Sequence, residues 1–74
     1  MNSTELKMQY ADRSKAYELP DHLELALEND YVENAGLYSD NTFKAIQMLY
    51  LINPGIYPAD LLKCIRAWHI TKSE

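Results

Sequence analysis

Residues 44–68 read KAIQMLYLINPGIYPADLLKCIRAW, and their pattern sets the fold class. Ala45, Ile46, Met48, Leu49, Tyr50, Leu51 and Ile52 make the first half apolar nearly all round, as in a helix buried by its neighbours. Asn53 is restrained by Pro54, and Pro54-Gly55 suits the middle of a type II turn. Pro58 fits the first position of a new helix, where its missing N–H costs nothing. Asp60 suits the positive end of that helix's dipole. Leu61, Cys64, Ile65 and Trp68 recur at i, i+3, i+4 and i+7, the clearest amphipathic stripe in the chain. The spacing predicts a helical hairpin with Leu49, Leu61, Ile65 and Trp68 at the centre of the core.

Upstream, residues 21–36 read DHLELALENDYVENAG. Leu23, Leu25 and Leu27 alternate as in a strand, but Ala, Leu and Glu favour helix and β-branched residues are nearly absent. A second helix is predicted, with Asp21 in its first turn and Gly36 just past its end. Leu23, Leu27 and Tyr31 then share one face, whereas Leu25 and Val32 point the other way. A helix apolar on two sides calls for two neighbours, one inside the fold and one outside it. At the start of the chain, Asn2 followed by Glu5 resembles a capping box. Leu6, Tyr10 and Tyr17 form a thin apolar stripe, and Pro20 closes this first helix. Ser39 or Asp40 caps the third. The expectation is an all-α single domain over residues 1–74, a compact bundle of about four short helices with the third buried.

Composition limits function more than it assigns one. A chain of 74 residues, 47% hydrophobic and 24% charged, is globular. Single cores of this size supply only about 3–5 kcal/mol, so a partner or a second copy is a natural source of further stability. The single cysteine excludes a disulfide framework and a zinc site of the Cys-x-x-Cys kind. Residues 1–15, MNSTELKMQYADRSK, lack the apolar core of a signal peptide. The longest apolar run, Met48 to Ile52, is five residues, whereas a membrane span needs about 20. A soluble cytoplasmic protein is expected, with no membrane association.

Enzyme chemistry has little to build on. Cys64 lies within the apolar stripe, as a packing thiol does. His69, five residues on, is about 140° away around the helix and does not pair with it. His22 among Asp21 and Glu24 reads as a solvated helix start, and Glu24 with Glu28 as solvated carboxylates. The two glycines leave little backbone for a phosphate cradle. No catalytic, cofactor-binding or metal-ligating residue is assigned, and the chain is not expected to be an enzyme.

Two motif readings deserve a test. Pro20 and Pro54 are 34 residues apart, the period of tetratricopeptide repeats, but Leu49, Thr42 and Asp30 fall where that repeat requires small residues. The match fails. A DNA-reading helix-turn-helix would use the helix over residues 58–70, with Lys63, Arg66 and Lys72 on phosphates. Three cations are few, Asp60 stands where a phosphate would approach, and the acidic middle of the chain opposes nucleic acid. DNA binding is therefore the alternative reading.

The favoured reading starts from charge and tyrosine. Net charge is −4, and seven acids lie between Glu18 and Asp40 with no Lys or Arg among them. Asp21, Glu24 and Glu28, at i, i+3 and i+7, would form one negative stripe beside Leu25 and Val32. Six tyrosines exceed what so small a core is expected to bury, and tyrosine suits interfaces that are dry inside and wet at the rim. These features predict a non-enzymatic regulator, adaptor or inhibitor. It would bind a larger protein, with a basic surface, through Asp21, Glu24, Leu25, Glu28 and Val32; a homodimer is also compatible.

Overall fold

Four helices arise where local sequence starts and stops them. The computed structural model describes residues 2–72, with side chains through Thr71. Helix α1, Ser3–Ala16, begins at Asn2, whose side chain accepts the Glu5 N–H at 2.9 Å as the capping pattern predicts. Its end is less expected. Leu19 N–H donates to Ser14 O at 3.0 Å and Glu18 N–H to Lys15 O at 3.1 Å, the paired bonds of a Schellman motif. Glu18 therefore sits at a φ of 55°, a left-handed position that favours glycine. Glu18→Gly is expected to stabilise the protein by about 0.5–1 kcal/mol, read as a higher urea midpoint with unchanged helicity. A lower midpoint would contradict this.

A single 3₁₀ turn, Asp21–Leu23, leads into α2, Glu24–Asn34, and a second, Ala35–Leu37, leads out of it. Gly36 lies inside that second turn with no positive φ, so the expected glycine cap is not formed. Ser39 caps α3, Asp40–Ile52, by accepting the Thr42 N–H. After α3 the Ile56 N–H closes a turn onto Asn53 O at 3.0 Å. Gly55 lacks the positive φ that a type II turn demands, so the turn is of another type. Helix α4, Pro58–Lys72, starts at the expected proline. The protein is an all-α bundle of four helices, with no strand among the described residues.

The core is more aromatic than the hairpin pattern implies, and it is centred elsewhere. Phe43 is fully buried, with the rings of Tyr17, Tyr38, Tyr10 and Tyr31 at centroid distances of 5.3, 5.7, 6.2 and 6.3 Å. The Arg13 guanidinium lies 4.4 Å from the centre of its ring and bonds Asp40 at 2.9 Å, tying α1 to the start of α3. Leu23, Leu27, Ile46, Ile56, Leu61 and Ile65 complete the interior. Leu61 and Ile65 are thus core residues as predicted. Leu49 is only partly buried, and Trp68 is 38% exposed. The third helix is likewise buried along one face only, through Thr42, Phe43 and Ile46, while Met48, Leu51 and Ile52 reach the surface. Rings from α1, α2 and the segment before α3 fill the space around Phe43. The far side of α3 is left without a helix to cover it.

Candidate functional site: an apolar groove between α3 and α4

The uncovered side of the hairpin forms an open groove of about 710 Å³. Helix α3 lines it with Ala45, Met48, Leu49 and Ile52, and α4 with Cys64, Ala67 and Trp68 over a floor of Ile46 and Ile65. Small side chains explain the hollow. Ala45, Cys64 and Ala67 are too short to fill the seam between two helix backbones, and the larger residues stand at its edges. Met48 is 58% exposed and Ile52 77% exposed, which is costly for side chains that gain about 1.5–3 kcal/mol when fully buried. Contiguous exposure of this kind marks an interaction site more often than scattered apolar residues do. Lys44, Asn41 and Thr71 provide the polar edge.

Beside the groove, a polar cluster holds α4 to α2. Asp30 is buried and its carboxylate is fully occupied: Arg66 donates to both oxygens, Tyr38 donates its hydroxyl, and Asn34 donates from Nδ2 at 3.2 Å. Burial raises the Asp30 pKa, but the bonds from Arg66 and Tyr38 outweigh it and hold the carboxyl below its ordinary value. Burial and the same carboxylate push the Tyr38 hydroxyl up, so it stays a neutral donor. The arrangement locks helix to helix and leaves no free acid or base.

The predicted site residues separate into groups. Asp21 belongs to the 3₁₀ turn rather than to α2, so it does not continue the stripe of Glu24 and Glu28 in helical register. Asp21 and Glu24 instead line a smaller hollow of about 280 Å³ against α1, with Tyr10, Lys15 and Glu18. Burial, with Glu24 and Glu28 close by, pushes the Tyr10 hydroxyl up, which places both acids towards the α1 seam. Leu25 is 72% exposed and Val32 half-buried, so the second apolar side of α2 is present. The acidic block is less free than its sequence suggests, since Asp30 pairs with Arg66 and Asp40 with Arg13. Tyr10, Tyr31 and Tyr38 are buried; Tyr57 is the tyrosine that stands well out of the surface.

The residues of the DNA-binding alternative fare differently. Arg66 is committed to Asp30, Lys63 is exposed, and the Lys72 side chain lies outside the described residues. Cys64 is half-buried in the groove wall. His22 makes a structural contact, its Nε2 lying 3.2 Å from Ile56 O beyond the α3–α4 turn. Among the described residues no group of His, Cys, Asp and Glu is placed to hold a metal ion, and no helix is long and apolar enough to cross a membrane. The groove was missed by sequence reasoning, which read the third helix as buried by its neighbours.

Fold and site together define a small all-α bundle with an open apolar seam. No family model, curated protein or solved structure matches the chain.

Proposed function

We propose that this protein is a non-enzymatic regulatory or adaptor module that acts by docking another protein in its α3–α4 groove. The observation that carries the reading is the groove's apolar wall of Met48, Leu49, Ile52 and Trp68 in a chain too small to waste apolar surface. A groove between two helices suits the apolar face of a partner helix, whose side chains at i, i+3, i+4 and i+7 would fill the space over Ala45, Cys64 and Ala67. This moves the main contact from the α2 stripe, expected from sequence, to the α3–α4 hairpin. DNA binding loses support because one of its three cations is occupied.

The test uses two exposed groove residues. Met48→Asp with Ile52→Asp is expected to leave the melting curve nearly unchanged, because neither side chain is in the core. The same variant should lose proteins that the wild type retains in affinity capture from native extract. A retained partner, once purified, should shift the fluorescence of Trp68, the only tryptophan and a groove residue. Capture that survives both substitutions would refute the groove as the docking site.

A further inference from the structure

We infer that the hollow between α1 and the start of α2 is a binding site for a guanidinium carried on an aliphatic stem. The site is separate from the α3–α4 groove and does not depend on the docking reading. Glu18, Asp21 and Glu24 line it from the end of α1, the 3₁₀ turn and the first turn of α2. All three are exposed, and none is in an ion pair among the described residues. Carboxylates alone would be only a solvated rim, and Tyr10 adds what they lack. It lines the same hollow and is 1% exposed, yet its hydroxyl has no hydrogen-bond partner among the described residues. The hydroxyls of buried Tyr31 and Tyr38, by contrast, donate to Gln9 and Asp30. A buried hydroxyl without a partner is costly, and an N–H donor arriving with a ligand would satisfy it. Burial, with Glu24 and Glu28 close by, pushes this hydroxyl up. It is therefore neutral and turned towards the flank of α2 where Glu24 borders the hollow.

The rest of the wall selects the ligand. Lys15 is its one cation, and against three carboxylates it leaves the hollow negative. Among the described residues no group of acids is placed to share one metal ion, so the wall suits a cation spread over a plane. A guanidinium offers five N–H donors in a planar fork, enough to reach the Tyr10 oxygen and the carboxylates together. Ala11, Leu19 and Pro20 give its stem an apolar wall. The hollow, about 280 Å³, is slightly smaller than the ~300 Å³ at which ligand pockets begin. It takes one group of side-chain size rather than a nucleotide. Glu18 points the same way, because it holds a φ of 55° where glycine would be less strained. Two departures from the most stable choice, at Tyr10 and Glu18, thus meet at one hollow.

Two probes test this by amide nitrogen–proton NMR: n-butylguanidinium and a capped Gly-Arg-Gly peptide. Each should give saturable shifts at Ala11, Leu19 and Glu24 that sodium chloride at equal ionic strength does not. Much tighter binding of n-butylguanidinium assigns the site to a free small molecule, and equal binding assigns it to an arginine side chain of a protein. Tyr10→Phe should weaken n-butylguanidinium about tenfold. Its urea midpoint should stay or rise, because the lost hydroxyl makes no bond within the protein. Lys15→Gln should tighten binding by removing a competing charge. Met48→Asp with Ile52→Asp should leave it unchanged, which separates the fate of this site from that of the groove. A lower midpoint for Tyr10→Phe would mean that the hydroxyl has a structural partner, and it overturns the inference. Shifts no larger than those in salt overturn it as well, as does full affinity in Asp21→Asn with Glu24→Gln.

Discussion

Phe43→Ala is expected to leave the protein largely unfolded at room temperature. Phe43 is fully buried and its ring meets those of four tyrosines, with Arg13 over its face. Removing a buried phenylalanine costs about 3–5 kcal/mol, from lost burial and the cavity left behind. That is comparable with the whole contribution of a core this small, about 3–5 kcal/mol. Phe43→Leu keeps most of the volume and should lose only about 1–2 kcal/mol, retaining a cooperative urea transition. A Phe43→Ala protein with the wild-type midpoint would show that the aromatic cluster is not the centre of stability.

Arg66→Ala should cost about 2–3 kcal/mol at neutral pH, and the loss should shrink in acid. The substitution strips Asp30 of two charge-assisted bonds and leaves a buried carboxylate with Tyr38 and Asn34 alone. The estimate stays below that for a fully buried pair because the Arg66 side chain is 43% exposed. The pH dependence follows from the sign of the Asp30 shift. Its folded pKa lies below the unfolded value, so the associated stability is present above about pH 4 and is lost as pH falls through the folded pKa. Without Arg66, burial acts with less opposition, and protonating Asp30 no longer removes a favourable pair. Wild type and variant should therefore converge between pH 7 and pH 3 in urea titrations. An undiminished gap at pH 3 would mean that Arg66 stabilises by packing its stem rather than by its charge.

The places where sequence and structure part company share a cause. Asn2, Ser39 and Pro58 act through bonds or dihedrals within a few residues, and they were legible. Gly36 does not take the left-handed cap expected of it, and Glu18, for which none was expected, does, because the cap after α1 is set by how the chain leaves towards Pro20 and α2, not by which residue tolerates a left-handed φ best. Trp68 belongs to a sound amphipathic stripe, yet a stripe states only that one face is apolar. Whether that face meets the core or solvent depends on which helix arrives opposite it. The tyrosines illustrate the same point, since their number suggested a surface and the fold packed four of the six around Phe43.

By itself the sequence determined that the chain is helical, roughly where each helix lies, and that α2 and α3 carry more apolar surface than a single packing face uses. Periodicity, caps and prolines operate over one or two helical turns, and 74 residues contain enough of them. Only the tertiary structure decided which acids are neutralised, since Asp30 meets Arg66 across 36 residues and Arg13 meets Asp40 across 27. It alone also placed the open seam between α3 and α4. A groove is the absence of side chains at facing positions on two helices, and Ala45, Cys64 and Ala67 acquire that meaning only when the helices are set side by side.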